Sequence, residues 1–340
     1  MSNTFNAYCI LGSNLGDRET LLRRAVFALA ASHQIDLVRG SSLYESPAWG
    51  RTDQPSYLNA AVELKTTLSP EDLLARFKEI EAFLGRDFQA ERWTARAIDL
   101  DLALYEDRII QTESLTVPHI DFPRRAFALL PLLEIAPVAC DPTNKQAYAQ
   151  NLATLGAWDA DKKTFALNEG GRITIAGPLL HSHTDVFDAD FSTVLFQSDQ
   201  PEETEQIAAT LGLHLRGGEV IALSGNLGAG KTCFARGLAR GLDIPGPITS
   251  PSYVLVKSYE GRLVMHHADF YRLMGNDQDA GAEPPDLASL GLDDYLEDPN
   301  AVVLIEWAER YPSFLEPPFW LVEIEGSGDL PRFLLVRRIR

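Results

Sequence analysis

Arg92-Trp-Thr-Ala-Arg96-Ala-Ile-Asp99-Leu-Asp101-Leu-Ala-Leu104 decides the architecture of the first half of this 340-residue chain. Read as a strand over Ile98–Tyr105, it turns Ile98, Leu100, Leu102 and Leu104 toward a core and projects Asp99 and Asp101 together from the other face. Two carboxylates that close repel one another unless a positive charge lies between them, and Mg²⁺ shared with a polyphosphate is the obvious species. The same spacing also fits a half-exposed strand with solvated acids. Arg86, Arg92 and Arg96 precede the acids and supply planar donors for phosphate oxygens. His119, after the Val117-Pro118 turn, and Arg125 add donors downstream. Tyr57, Trp93 and Phe127, with Asn59 for polar edge recognition, make a sandwich for a flat heterocycle, and each fits a core position equally well.

Around this stretch, strand-like and helix-like segments alternate. Tyr8–Leu11 and Tyr57–Leu64 read as strands, and Leu21–Ala30 carries helical spacing. Ser69-Pro70-Glu71-Asp72 predicts a helix start: an N-cap, proline at the first helical position and a carboxylate three residues on. Leu73, Leu74, Phe77, Ile80 and Leu84 follow, with Gly85 as the stop. Between 166 and 189 the pattern dissolves into Gly, His and Asp without sustained periodicity, which predicts a linker between domains at 1–165 and 190–340. Beyond it, Thr193–Phe196 reads as a strand and Pro201–Leu211 as a helix capped by Gly212. Leu263–His267 and Ala301–Ile305 read as strands each ending on a carboxylate, and Trp320–Glu325 with Phe333–Ile339 as a terminal hairpin.

Acidic residues outnumber basic ones 48 to 30, for a formal charge of −18. Residues 1–165 hold 17 basic and 22 acidic groups, residues 166–340 hold 13 and 26, so the excess lies in the second half. Such a surface repels phosphate backbones and disfavours an extensive nucleic-acid interface. Cys9, Cys140 and Cys233 form no C-x-x-C pair, which argues against a disulfide scaffold or zinc ribbon. With neither a basic-then-apolar leader nor a run of 18 apolar residues, the expectation is a cytoplasmic protein without a membrane span.

In the second half, the strand Val220–Ser224 runs into Gly225-Asn226-Leu227-Gly228-Ala229-Gly230-Lys231-Thr232, followed by a helix-compatible CFARGLARGL. This is the phosphate-loop pattern in its proper setting: backbone N–H groups surround a phosphate, Lys231 reaches the β- and γ-phosphates, and the Thr232 hydroxyl ligates Mg²⁺. Asp269 and Glu306 are candidates for the metal and for hydrolysis, since strand C-termini cluster beside such a loop in a parallel sheet. Either alone is equally an ordinary strand-end acid. His266-His267 suggests a metal pair, but neighbouring strand residues point to opposite faces.

The second half resembles the TsaE family of ATPases. GNLGAGKT, TSPSYVLV (Thr249–Val256), HADFYRL (His267–Leu273), GLDDYL (Gly291–Leu296) and IEW (Ile305–Trp307) carry the resemblance, in that order. It implies that Lys231 and Thr232 bind ATP·Mg²⁺ with one metal ion. Asp269 and Glu306 then serve metal and hydrolysis, Thr249, Ser250, Pro251 and Ser252 form a nucleotide-sensing switch, and Trp307 sits beside the site. By the same resemblance, the domain supports threonylcarbamoylation of adenosine 37 in tRNA with TsaD and TsaB type proteins. Asn226 and Ser252 depart from common family choices, and Gly275–Asp286 is longer than expected.

The first half resembles the 6-hydroxymethyl-7,8-dihydropterin pyrophosphokinases, through LGSNLGDR (Leu11–Arg18), YESPAWG (Tyr44–Gly50), QPSYLNAAVEL (Gln54–Leu64), Gly85-Arg86, ERWTARAIDLDLALY (Glu91–Tyr105) and LTVPHIDFPRRAF (Leu115–Phe127). This implies that Asp99 and Asp101 hold two Mg²⁺ ions on ATP, Arg86 and Arg96 stabilise charge during transfer, and His119 and Arg125 contact the nucleotide. Tyr57, Asn59, Trp93 and Phe127 hold the pterin. Phe88 and Ser114 stand where some members carry arginine. The architecture expected is an α+β ferredoxin-like pyrophosphokinase domain followed by an α/β P-loop NTPase domain. A second reading keeps the kinase active and makes the second half a nucleotide-dependent binding module with negligible turnover.

Overall fold

The computed structural model describes residues 4–32, 34–48, 54–89, 94–181, 193–251, 255–271, 293–311, 315–326, 328 and 331–340. Chain contacts separate two units, Met1–Leu180 and His181–Arg340.

In the first unit the order is β1 (Phe5–Ser13), α1 (Arg18–Ala30), β2 (Ile35–Gly40), β3 (Ser42–Ser46), β4 (Tyr57–Thr66), α2 (Pro70–Phe83), β5 (Asp99–Tyr105), β6 (Ile110–Gln111) and β7 (Thr116–Val117). Then come α3 (Ala126–Ile135), α4 (Tyr148–Leu155), β8 (Gly156–Asp159), β9 (Thr164–Leu167) and β10 (Arg172–Pro178). The main sheet runs β5-β1-β4-β3-β10-β9-β8, with β2 also on β4. Its pairings are antiparallel. The predicted start of α2 holds: the Ser69 hydroxyl accepts from the Asp72 N–H at 3.1 Å, and Leu73, Phe77 and Ile80 are buried. Strand β4 is almost wholly buried because α1 and α3 both pack on it.

Three expectations need correction. The register of β5 against β1 slips at Tyr8/Cys9, so that Tyr8 faces Leu104 and Cys9 faces Leu102. The bulge at Ala103 sends Leu104 into the cluster around Ile10, Ala61 and α3, breaking the alternation predicted to run through Leu104. The stretch from 166 to 178 is not linker: β10 hydrogen-bonds to β3, with Thr174 opposite Glu45 and Ile175 opposite Tyr44. Its one-sided burial and scattered glycines hide a strand whose stability comes from a distant partner.

The second unit contains β11 (Thr193–Ser198), α5 (Pro201–His214), β12 (Glu219–Ser224), α6 (Lys231–Gly241), β13 (Val256–Tyr259), β14 (Val264–Asp269), α7 (Asp293–Leu296), β15 (Ala301–Glu306), β16 (Phe319–Glu325) and β17 (Arg332–Ile339). The sheet order is β11-β17-β16-β12-β15-β14-β13. Strand β12 runs parallel to β15 and β16, and β14 parallel to β15. Strands β11, β17 and β13 pair antiparallel. The predicted terminal hairpin therefore forms, and it also joins the sheet through β16.

The third correction concerns Gly212, which does not cap α5: the helix continues to His214. A Cβ on Gly212 would lie 2.9 Å from the Leu238 carbonyl, and one on Gly237 only 2.2 Å from the Glu205 carbonyl. Both glycines serve the close crossing of α5 and α6. Among the described residues no helix is long and apolar enough to cross a membrane.

Candidate functional site

Asp99 and Asp101 reach a cavity of about 340 Å³ in the first unit. The cavity also gathers Tyr57, Asn59, Arg96, His119, Arg125 and Phe127, side chains spread over 71 positions of sequence. Ser46, Pro47, Gln54, Thr94 and Asp121 join them without having been predicted. Trp93 lies outside the described residues.

The polar geometry differs for the two acids. Asp99 accepts from Arg86 at 2.5 Å on one oxygen and from Arg96 at 3.0 Å on the other. The Asp101 carboxylate makes no hydrogen bond or ion pair among the described residues. Burial first, and the neighbouring Asp99 charge second, push the Asp101 carboxyl up to about 7. The donor set is a pair of carboxylates open to a cavity, with no third His, Cys, Asp or Glu completing a cluster among the described residues. That suits Mg²⁺, which takes one or two protein carboxylates and fills the rest of its shell with phosphate oxygens and water.

Asn59, 2% exposed, donates to the Ser46 hydroxyl at 2.9 Å. The segment bearing Arg96 is pinned by Asn14, whose side chain accepts the Arg96 N–H at 2.6 Å while its own N–H donates to the Arg96 carbonyl at 3.1 Å. Burial, then Arg125, lowers the His119 pKa, so His119 offers a neutral ring at pH 7. Arg125 pairs with Asp121 at 2.9 Å.

Glu81 was missed from sequence. It is fully buried on α2, pairs with Arg86 and with Lys78 at 2.9 Å, and accepts the N–H of Leu100, the residue between the two aspartates, at 2.7 Å. The available signal was an acid on the apolar face of α2, five residues before Arg86.

In the second unit, Gly225–Gly230 lead from β12 into α6. Gly225 has φ +145°, and a Cβ there would lie 2.4 Å from the Ile324 carbonyl; Gly230 has φ +110°. Lys231, 6% exposed, donates to the Asn226 carbonyl at 3.0 Å and to the Gly225 carbonyl. Its ammonium lies 3.5 Å above the Trp307 ring. Trp307 itself has a left-handed backbone conformation with φ +62°. Arg332 of β17 donates to the Ala229 carbonyl at 3.0 Å. Thr232 opens α6 beside Lys231.

Asp269 and Glu306 are register partners at the ends of β14 and β15. Ser250 donates to Asp269, which also accepts the Tyr271 N–H at 2.9 Å. Glu306 accepts from His267 Nε2 at 2.9 Å, and His267 Nδ1 is buried without a partner among the described residues. His266 turns instead to Ser258 at 2.8 Å, so the two histidines do separate to opposite faces. Thr249 and Pro251 flank Ser250; Ser252 and Gly275–Asp286 lie outside the described residues.

Residues 8–137 match the family model for 7,8-dihydro-6-hydroxymethylpterin-pyrophosphokinase (HPPK), and residues 198–332 match that for threonylcarbamoyl adenosine biosynthesis protein TsaE. The chain is 45% identical over 141 residues to a 2-amino-4-hydroxy-6-hydroxymethyldihydropteridine pyrophosphokinase of Bacillus subtilis, covering 42% of this chain and 81% of that protein. It is 40% identical over 162 residues to the protein of the same name from Haemophilus influenzae, covering 48% of this chain and 98% of that one. The solved structure of Bacillus subtilus YdiB is 28% identical, with a TM-score of 0.35, over 45% of this chain and 90% of that chain.

Proposed function

The chain belongs to the 6-hydroxymethyl-7,8-dihydropterin pyrophosphokinase family and fuses to that domain a TsaE domain; on that footing we propose how each half works. In the first unit, pyrophosphate passes from ATP to the hydroxymethyl oxygen of the dihydropterin, which attacks the β-phosphorus and releases AMP. The observation that carries this reading is the pair Asp99 and Asp101, facing one cavity together with Asn59, Tyr57 and Phe127.

Asn59 meets the polar edge of the heterocycle while Tyr57 and Phe127 cover its faces. Arg86 and Arg96, both paired with Asp99, stabilise charge as it shifts toward the leaving AMP. His119, as a neutral donor, and Arg125 contact the nucleotide. Asp99 and Asp101 would hold Mg²⁺, two ions by family likeness, whose contribution is to neutralise the polyphosphate. The remaining work is in-line positioning, which calls for no covalent nucleophile.

In the second unit, Lys231 and the loop Gly225–Gly230 bind ATP, Thr232 and Asp269 would hold one Mg²⁺, and Glu306 serves hydrolysis in support of tRNA adenosine-37 threonylcarbamoylation. TsaD and TsaB type proteins are the partners of this reading. A second reading, nucleotide-dependent docking with negligible turnover, is favoured by one feature. Lys231, Asp269 and Glu306 are each engaged by groups of the protein itself. An assay of the full chain with ATP, with and without hydroxymethyldihydropterin, separates the possibilities. AMP that depends on pterin reports the first unit, and ADP formed without pterin reports the second. Pterin-dependent AMP with no ADP favours the docking reading, and no AMP under any condition overturns the pyrophosphokinase assignment.

Glu81 should matter to the first activity although it does not line the cavity. Glu81→Ala leaves Arg86 and Lys78 without their buried partner and frees the Leu100 N–H. We expect a stability loss of about 3 kcal/mol and an AMP-forming rate lower by about 100-fold. Glu81→Gln keeps an acceptor for Leu100 and should recover part of both, read by thermal unfolding and initial rates.

A further inference from the structure

Strands β9 and β10 lie beyond the segment that matches the pyrophosphokinase family model, which ends at residue 137. They nevertheless back the cavity at two points. Phe165 of β9 and Ile173 of β10, 2% and 1% exposed, enter one apolar cluster with Tyr44, Ala126 and Leu130, and Phe127 packs against that cluster. Phe127 is itself a cavity wall. At the turn between the strands, a Cβ on Gly171 would sit 3.3 Å from the ring of Pro47, so the turn abuts another cavity wall. The far end of β10 is tied down by Arg23, 3% exposed, which donates to the Pro178 carbonyl at 3.1 Å and the Leu179 carbonyl at 3.3 Å.

We propose that the β9–β10 hairpin is a specificity-determining part of the pyrophosphokinase site, with Phe165 and Ile173 as positioning residues for Phe127. The proposal rests on the reading that Phe127 holds the pterin. A ring stacked on a flat ligand contributes only if its own position is fixed before binding, because otherwise the ligand must order it. Phe165 and Ile173 supply that fixation from behind, and the Gly171 turn sets the opposite wall through Pro47. On the nucleotide side, Arg125 has its guanidinium 5.9 Å from the centre of the Phe127 ring and is held by Asp121 at 2.9 Å, an anchor outside the hairpin. The hairpin therefore acts on one substrate. A purely structural role, such as covering the edge of β3, would act on neither substrate or on both.

The test uses the full chain and initial rates of AMP formation, with ATP and hydroxymethyldihydropterin varied separately. Ile173→Ala is expected to raise KM for the pterin about 5–10-fold and leave KM for ATP within about twofold. Ile173→Val should return the pterin KM to within about twofold of the starting protein. Phe165→Leu, a milder change, is expected to raise the pterin KM about threefold and serves if Ile173→Ala does not fold. An unchanged pterin KM in a folded variant with a lowered Tm, or equal rises in both KM values, overturns the proposal. If the unsubstituted chain makes no AMP from the two substrates, it is the reading of the site that has failed.

Discussion

Asp101→Asn is expected to suppress AMP formation by about 10³-fold while making the nucleotide-free protein more heat-stable at pH 8. The loss follows from removing the carboxylate that has no hydrogen-bonding partner among the described residues and faces the cavity. The gain follows from linkage. The Asp101 carboxyl is raised from 3.8 in a free chain to about 7 in the fold, so the folded state holds its proton more tightly than the unfolded state does. That stabilisation is complete below about pH 4 and is lost as pH rises through about 7, where the fold must carry the buried charge. Asparagine removes that burden. Because the residue is half-buried on an open cavity, the full linkage figure is discounted to about 1–2 kcal/mol, or about 3–6 °C in Tm at pH 8. At pH 4 the variant and the unsubstituted protein should unfold together. Thermal melts at the two pH values read the effect, and a variant less stable at pH 8 than at pH 4, relative to the parent, would contradict it.

Lys231→Ala should remove nucleotide from the second unit and leave the first untouched. The ammonium now donates to two loop carbonyls and lies over Trp307, and a γ-phosphate would replace those partners with a full negative charge. Charge-assisted hydrogen bonds of this kind set the expected loss at about 100-fold in affinity. Burial is the largest influence on Lys231 and lowers its pKa, with Glu306 the strongest opposing charge. Titration of a non-hydrolysable ATP analogue into the full chain should show stoichiometry falling from two sites to one, with pterin-dependent AMP formation unchanged. Two sites of unaltered affinity would remove the phosphate-loop assignment.

What was legible in the sequence is what short-range chemistry writes. Ser69-Pro70-Asp72 announces α2 because the capping bonds are local, and the strand-to-helix turn at Gly225–Thr232 is recognisable because its glycines answer to backbone geometry within eight residues. The paired aspartates were visible for the same reason, since alternation along one strand needs no knowledge of a partner. Long-range pairing was not visible. Strand β10 looks like linker until β3 supplies its hydrogen bonds. The bulge at Ala103 arises from the register against β1, not from anything in β5 alone. Glu81 reads as one more helix acid until α2 is laid beside β5. Gly212 resembles a cap when α5 is considered by itself, and its role becomes evident only at the crossing with α6. Trp93 and Ser252, both named from sequence, lie outside the described residues.

The pairing of β11 with β17 gives the two units different histories during synthesis. In the first, the aspartate strand β5 has its partner β1 in hand as soon as residue 105 is made, and the last strand of that sheet ends at Pro178. In the second, the opening strand finds its sheet neighbour only when Arg332–Ile339 arrives, and the same strand brings Arg332 to the Gly225–Gly230 loop. A ribosome would thus carry a completed first sheet while the Gly225–Gly230 loop that follows it in the chain still lacked its outer support. Nascent second units are therefore the ones exposed to chaperones and proteases, and any lesion in β17 reaches the loop about a hundred residues upstream of it.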